Sequence, residues 1–279
     1  MMKFTGSMLL LVLTQVCSAQ YYYKDLITTR QNERRWLLYK DNGVKSVKLS
    51  SFERDGSLTE GFTGDQEVSG DRLMTHTHTK ASGNAESWIT ATYTPQGLTQ
   101  KISDTSDTYR STTEYQYDAD GHLQSILNTS IETDNNLRDV EQHIWSYDAA
   151  GKPSSMLKIK NGNDTTFVRF VLDEKGNVAE ERAMRNKTDL PVIYYYYDAD
   201  GRLTDIVRYS LKAKRLLPDN IFEYGDDGRT SSMLVVPDGS NDYLKWLYDY
   251  NEKGLKVKES CISRQKELLG KIEYQYSYK

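Results

Sequence analysis

The sequence has little cysteine and little proline, and beyond its first twenty residues it has no long apolar stretch. Of its two cysteines, Cys17 lies in the amino-terminal segment, so Cys261 is the one that remains in residues 20–279. An intramolecular disulfide and a cysteine-based metal site are therefore excluded for that part of the chain. We expect Cys261 to be a buried small hydrophobic residue. Five prolines in 279 residues agree with continuous sheet and indicate no linker.

An excess of charge of either sign is also missing. The chain has 36 Lys and Arg against 40 Asp and Glu, and its mean hydropathy is −0.71. This balance predicts no nucleic-acid partner and no anionic membrane partner recruited by bulk electrostatics. No stretch after the amino terminus is apolar enough to predict a transmembrane helix.

The first residues have the pattern of a secretory signal peptide. Lys3 gives a positive start, Met8–Val16 is a short apolar run, and small residues precede Gln20. We expect cleavage after Ala19 and export to the periplasm, the cell surface or the medium. Lipidation of Cys17 is the alternative. The Ser-Ala-Gln ending resembles signal peptides of Bacteroidota.

The remainder is organised around a repeat that is clearest in Tyr194–Val207, which reads YYYYDADGRLTDIV. Aligned on the turn glycine, successive copies from Gly97 onward are 24, 30, 25, 25, 27 and 26 residues apart. A period of this size indicates a repeat architecture. The predicted units turn near Gly43, Gly70, Gly97, Gly121, Gly151, Gly176, Gly201, Gly228 and Gly254.

Each copy predicts a β-hairpin. Four and six residues before the glycine stand mostly aromatic residues, with mostly polar residues between them, which is the alternation of a half-buried strand. The Asp-x-Asp-Gly step favours a tight turn, because Asp bonds nearby backbone and Gly adopts positive φ. We therefore predict an all-β fold of tandem antiparallel hairpins that forms a curled or spiral sheet, as a single domain over residues 20–279. The aromatic positions should share one face.

The motif Y-D-x-x-G-R-L resembles the YD repeat of Rhs-type proteins. Tyr197–Leu203 matches it in full, and Tyr117–Leu123 departs only at His122. The resemblance implies repeats wound into a spiral β-sheet shell. It also implies a short secreted form without the toxin domain of large members, because the last unit stops at Lys279.

The segment before the regular repeats is harder to interpret. Tyr21–Arg35 is polar, and we expect a first strand or an ordered arm. Trp36–Leu49 contains the loose copy YKDNG and predicts a hairpin that turns at Gly43. A further turn is expected at Asp55-Gly56.

Several side chains could form sites, yet none is assigned as catalytic, cofactor-binding or metal-binding. His76 and His78 lie on one face of a strand and could be half of a zinc site. The Asp-rich turns at Asp118 and Asp198 lack the spacing of an EF-hand loop. His122 and His143 fall within repeats, and no catalytic motif is present.

Three functions remain open. The first is an exported, non-catalytic scaffold that binds a glycan or a surface protein, needs no cofactor and carries its ligand on variable loops. The second is an outer-membrane β-barrel, which fits strands with one apolar face. Short apolar faces and charges such as Lys158, Glu181 and Arg208 within the strands speak against it. The third is a secreted enzyme without a recognisable motif.

Overall fold

A computed structural model describes residues 21–279, apart from residues 82, 84, 211–213 and 237–241. The predicted signal peptide, the centre of the turn at Ser82-Gly83-Asn84 and most of the predicted loop Pro237–Asp242 lie outside the described residues. Within them, no helix is long and apolar enough to cross a membrane.

The described chain consists of one helix followed by nineteen strands. The helix α1 spans Lys24–Asp41. The strands are β1 (Val44–Phe52), β2 (Thr63–Ser69), β3 (Met74–Lys80), β4 (Glu86–Tyr93), β5 (Thr99–Ser106), β6 (Tyr109–Tyr117), β7 (Leu123–Glu132), β8 (Arg138–Tyr147), β9 (Pro153–Lys160), β10 (Asp164–Leu172), β11 (Val178–Arg185), β12 (Thr188–Asp189), β13 (Ile193–Tyr197), β14 (Leu203–Ser210), β15 (Arg215–Tyr224), β16 (Thr230–Val235), β17 (Leu244–Tyr250), β18 (Lys256–Ser263) and β19 (Leu268–Tyr278).

The strands form one closed antiparallel barrel. Nearly every strand pairs with its neighbours in sequence, and β19 pairs with β1 from Ser46↔Ser277 to Phe52↔Lys271, which removes both edges of the sheet. The two-residue β12 is a side branch of β11, and β11 pairs onward with β13, so 18 of the 19 strands form the ring. The predicted all-β hairpin fold is thus confirmed. Its closure agrees better with the barrel hypothesis than with an open spiral scaffold.

The repeated turn has the chemistry that the sequence predicts. At the turn of Asp118, the side-chain Oδ1 accepts hydrogen bonds from the backbone N–H groups of Asp120 and His122, at 3.0 and 2.8 Å. Gly121 closes the turn at φ +83°, a region that a Cβ disfavours. The same bonds recur at Asp148, Asp173, Asp198 and Asn251.

A β-bulge accompanies each of these turns. It lies between the residues five and four positions before the turn glycine. Register shifts occur at Tyr93, Tyr117, Tyr147, Leu172, Tyr197, Tyr224 and Tyr250. A bulge bends its strand and increases its twist. Bulges repeated at the same end of these seven hairpins therefore give the sheet a consistent curvature, and this curvature favours closure.

The aromatic positions four and six residues before the glycines share one face, as predicted, and this face lines the lumen. Five of these tyrosine hydroxyls, and that of Tyr276 in β19, donate to the carbonyl oxygen two residues past the preceding turn glycine, at 2.6–3.0 Å. Tyr224 Oη to Leu203 O, at 2.7 Å, is one example. The ladder between neighbouring hairpins has ended at these points, so the hydroxyls satisfy carbonyls that would otherwise lack a partner.

The prediction for residues 21–43 was wrong, because Lys24–Asp41 forms α1 and not a strand or the first arm of a hairpin; the strand expected after Gly43 is present as β1. Leu26, Thr29 and Trp36 lie on one buried face at helical spacing. Gly43, at φ +62°, directly follows the helix cap, where glycine commonly ends a helix, and is not a hairpin turn. The turn at Gly56 is confirmed.

Helix α1 lies inside the barrel and crosses its lumen. Tyr23, next to its first turn, packs against Phe170 of β10 and Tyr195 of β13. At the other end, Trp36 stacks on Tyr93 of β4 at 4.4 Å, and Tyr39 contacts Tyr276 of β19. Strands β10 and β19 lie on opposite sides of the ring. The 18 residues of α1 span about 27 Å at ~1.5 Å per residue, so the helix bridges the two walls.

Candidate functional site

A polar cavity of about 240 Å³ lies in the lumen, between the first turns of α1 and the inner face of strands β6–β8. Its lining from the helix is Lys24, Asp25, Thr28 and Thr29. Its lining from the wall is Thr113, Tyr115, Ile126, Asn128, Glu141 and His143. Lys24 and Thr28 are exposed, so the cavity opens to solvent.

The wall side chains converge because they occupy inward positions of paired strands. Thr113 of β6 pairs with Asn128 of β7, which in turn pairs with Glu141 of β8. Ile126 pairs with His143 in the adjacent row. Directly opposed residues of an antiparallel pair are in side-chain contact. Two neighbouring rows therefore present an amide, a hydroxyl, a carboxylate and an imidazole to one cavity.

Four charged groups form a chain of ion pairs beside the cavity. His143 Nδ1 lies 2.6 Å from Asp25 Oδ2, and His143 Nε2 lies 3.0 Å from Glu141 Oε1. Lys158 Nζ lies 2.7 Å from Glu141 Oε2 and 5.7 Å from the centre of the Tyr22 ring. His143 and Lys158 thus lie against the carboxylates of Asp25 and Glu141, at the place where α1 begins.

The network changes the acidity of its members. Burial lowers the pKa of His143, but the hydrogen bonds that its ring donates to Asp25 and Glu141 outweigh it and raise the pKa to about 9. Burial raises the pKa of Glu141, whereas His143 and Lys158 bring it down to about 2. The side chain of His143 is 10% exposed, so its charge is paired in a largely dry environment. At neutral pH the four groups therefore carry two opposite pairs of charges.

This geometry fits binding better than catalysis. Both ring nitrogens of His143 are bonded to carboxylates, so neither is available to take a proton from a substrate. Asn128 uses its amide nitrogen on Ser111 Oγ and Thr113 Oγ1, at 3.1 and 2.8 Å, which fixes its orientation. The cavity offers hydroxyl and amide groups, with the Tyr115 ring and Ile126 as apolar surface.

Glu181 of β11 holds the segment before α1 against a neighbouring part of the wall. Its carboxylate is 1% exposed and accepts hydrogen bonds from the backbone N–H of Tyr22 and Tyr23 and from Tyr195 Oη, each at 2.8–2.9 Å. A carboxylate at a helix amino terminus satisfies free N–H groups and favours the helix dipole. Burial raises the pKa of Glu181, although these hydrogen bonds act in the opposite direction.

The structure does not bring the other candidate residues into the cavity. His76 and His78 point outward, where His76 bonds Thr90, and His78 stacks on Trp88 and pairs with Glu86. Glu67 and Asp65 stand opposite them on β2. Among the described residues, the possible ligand atoms of His76, His78, Glu86, Glu67 and Asp65 do not come together as a metal site.

Asp118, Asp120 and His122 do approach one another, with ligand atoms within 4.8 Å. The turn itself explains this proximity. His122 bonds Asp118 Oδ2 and packs on Tyr147, as Arg202 bonds Asp198 and lies over Tyr224 in a later unit. The residue after the turn glycine thus links its own turn to the next hairpin. The buried Cys261 faces the lumen beside Trp246, as expected for a small hydrophobic residue.

Sequence reasoning missed Asp25, Glu141, Lys158 and Glu181. For the three strand residues, the sequence did contain a signal. Each is a charged residue at an inward position of the period-two pattern, where most repeats have apolar or aromatic residues. Lys158 and Glu181 are 6% and 1% exposed, and both point into the lumen, as does Arg208, which pairs with Asp219. These charges therefore do not interrupt an outer apolar face, contrary to the expectation from sequence.

The fold and the site define an antiparallel β-barrel whose lumen contains its own amino-terminal helix and a polar cavity. No protein-family model matches the chain. The tRNA3(Ser)-specific nuclease WapA of Bacillus spizizenii is 27% identical over 165 residues, which cover 50% of this chain and 6% of that protein. The chain thus corresponds to a small fraction of the length of this relative.

Solved structures with some likeness are also distant. The crystal structure of TcdB2-TccC3-Cdc42 matches 77% of this chain and 12% of its own, at 15% identity and a TM-score of 0.34. A porin-like protein from Bacteroides uniformis matches 85% of this chain and 97% of its own, at 8% identity and a TM-score of 0.41. The resemblance to Rhs-type repeat proteins stands as a distant one, and membership in that family is not shown.

Proposed function

We propose that this chain is an exported, non-catalytic β-barrel protein of the bacterial envelope that binds a small, neutral, polar ligand in its lumen. The observation that carries the proposal is the solvent-open cavity of about 240 Å³ between α1 and strands β6–β8. Apart from the exposed Lys24 at its mouth, its charged groups are paired with one another or with Lys158, so an ionic ligand inside the cavity would have to break an existing ion pair. A ligand with several hydroxyl groups, such as a monosaccharide, fits the hydroxyl and amide lining.

The helix favours binding over conduction. It is joined to the lumen wall at both ends by buried aromatic contacts, and Glu33 in its middle accepts a hydrogen bond from Tyr117 Oη at 2.9 Å. A conducting pore would require this helix to leave. Burial of Trp36 alone, at 1% exposure, contributes on the order of 2–3 kcal/mol against that movement.

The binding test uses residues 20–279 with N-acetylglucosamine and glucose as probes, followed by calorimetry and saturation-transfer NMR. We expect at least one sugar to bind, and Thr28→Trp, at the cavity mouth, to abolish the signal. Gln31→Trp places the same side chain on an exposed position of α1 outside the cavity lining and should leave binding unchanged. Absence of binding by both sugars, or equal loss in both variants, contradicts the lumen site.

The outer surface favours an aqueous compartment. Arg169 and Arg182 face each other as partners in the middle of β10 and β11, and both point outward. Arg or Lys at the lipid-facing midplane of a barrel costs about 2–4 kcal/mol each. Glu114 and Lys101 form a further outward pair on β5 and β6. Embedding the whole circumference in lipid would therefore be strongly unfavourable.

An outer-membrane barrel is the second candidate, and a specific row of side chains favours it. Ile144, Leu157, Phe167 and Met184 follow one another across β8–β11 on the outer face, and three of them are 38–46% exposed. Closure of the sheet and the inward direction of Lys158 and Glu181 agree with it as well. Fractionation of expressing cells with a carbonate wash separates the two placements. Release supports the aqueous barrel, whereas retention with a mobility shift on boiling supports the membrane barrel.

A further inference from the structure

A second concave surface lies on the outside of the barrel, separate from the lumen cavity. It is an open groove of about 470 Å³ between the turn of β10–β11 and the turn of β13–β14. Tyr194, Tyr196 and Glu180 line it with outward side chains, and Glu174 and Lys175 line it from the first turn. Tyr196 is 47% exposed.

The outward tyrosines of this groove are particular to one repeat unit. Seven and five residues before the turn glycine, the unit of Gly201 has tyrosine at both outward positions. The other units have Thr90 and Thr92, Glu114 and Gln116, Ile144 and Ser146, Arg169 and Val171, Ile221 and Glu223, or Leu247 and Asp249. A pair of outward tyrosines is therefore not required by the repeat architecture.

The floor of the groove differs in the same way. Three residues after the turn glycine, the unit of Gly176 has Ala179, which lines the groove. The corresponding residues elsewhere are Gln100, Gln124, Ser154, Thr204, Ser231 and Val257, all of which are larger. Two rings next to a small residue create a concave aromatic surface at a place where the other units fill the space.

The charges of the groove suit a neutral ligand. Arg182 Nε donates to Glu180 Oε2 at 2.7 Å, and Arg202 Nε donates to Asp198 Oδ2 at 2.7 Å. Asp173 accepts bonds within its own turn. These three carboxylates already have partners, and Lys175 Nζ donates to the carbonyl oxygen of Ala199. The rest of the groove surface consists of the outward rings, their hydroxyls and Glu174. The Cα atoms of the two tyrosines are about 6.8 Å apart along the strand, at ~3.4 Å per residue, so both side chains can contact one extended ligand.

We propose that Tyr194 and Tyr196 form a binding site for a neutral oligosaccharide on the outer face of the barrel. Sugar rings combine apolar faces, which stack on aromatic side chains, with hydroxyls, which can bond Lys175, Glu174 and the phenols. The groove differs from the lumen cavity in position and in residues, so this site does not depend on the proposed lumen ligand. Its place on the outer wall leaves it accessible to a chain longer than the lumen could hold.

The test measures binding of cellohexaose, maltohexaose and chitohexaose to residues 20–279 by calorimetry at low and at moderate salt. We expect at least one to bind independently of salt, with a loss of affinity of about tenfold or more in Tyr194→Ala and in Tyr196→Ala. Ala179→Gln, which installs the residue of another repeat in the floor, should weaken binding with both rings intact. Tyr209→Ala removes an exposed outward tyrosine outside the groove and should have no effect.

Three results would overturn the proposal. They are failure of all three hexasaccharides to bind, binding that the groove variants leave unchanged, and tighter binding of decalysine that disappears at moderate salt. The last result would assign the groove to a basic peptide. Thr28→Trp serves as a cross-control, because loss of hexasaccharide binding in that variant alone would place the sugar in the lumen and not in the groove.

Discussion

Replacing His143 with glutamine is expected to remove most of the alkaline pH dependence of stability. His143 joins Asp25 of α1 to the barrel wall. Desolvation lowers its pKa, but the hydrogen bonds that its ring donates to Asp25 and Glu141 raise the pKa to about 9. A pKa of about 9 in the folded state and about 6.5 in the unfolded state corresponds to about 3 kcal/mol, at ~1.36 kcal/mol per unit.

The sign follows from which form the fold prefers. Because the folded pKa is raised, the folded state binds the proton more tightly than the unfolded state. The stabilisation is fully present below about pH 6.5 and is lost as the pH rises through about 9. Between these values the free energy of unfolding should fall by up to ~1.4 kcal/mol per pH unit.

Urea unfolding at about pH 6, 7.5 and 9.5 measures this fall directly. The wild-type protein should lose about 3 kcal/mol over this range, and His143→Gln should be less stable at the acidic end and nearly flat. His122→Gln removes a histidine from an exposed turn and should keep the wild-type slope. An equal loss in wild type and His143→Gln would refute the assignment of the pH dependence to the pair of His143 and Asp25.

Three further predictions concern the repeat and the helix anchor. Tyr224→Phe should cost about 1 kcal/mol in urea unfolding, because it removes one hydroxyl-to-carbonyl bond, whereas Tyr196→Phe on the outer face should cost almost nothing. Gly201→Val should lower stability by about 1–3 kcal/mol, since Gly201 has φ +76° with no atom near its Cβ position, and an unchanged Tm would count against backbone strain. Glu181→Leu should cost about 3 kcal/mol and speed proteolysis before α1, because two buried N–H groups lose their acceptor; protection equal to wild type would contradict the anchor.

Features set by local sequence could be predicted, because each depends on a few neighbouring residues. The turn at Tyr117–Gly121 and the inward direction of Tyr115 and Tyr117 follow from Asp and Gly chemistry and from period-two alternation. Closure could not be predicted in this way. It depends on pairing of Ser46 with Ser277, which are 231 positions apart and carry no pattern that marks them as partners.

The helix and the lumen network were missed for a related reason. YKDNG at Tyr39–Gly43 resembles a repeat turn, but its glycine follows the end of a helix whose buried residues recur at helical spacing. An alignment on glycine alone cannot separate these two uses of positive φ. His143 and Glu181 occupy inward positions at which a sheet normally has apolar residues. Their partners come from α1 and the residues before it, so their role became apparent only once the helix was placed in the lumen.

The measurement that tests the closed barrel most directly is a disulfide across its seam. Ser46 Oγ and Ser277 Oγ lie 2.6 Å apart on β1 and β19, so cysteines at both positions can form an unstrained bond. In a Cys261→Ser background of residues 20–279, we predict spontaneous oxidation, a faster band on a non-reducing gel and a higher Tm. A matched pair at Ser46 and Ser125, which lie on distant strands, should stay reduced. Free thiols in the seam variant, or equal oxidation of both pairs, would contradict closure of the barrel.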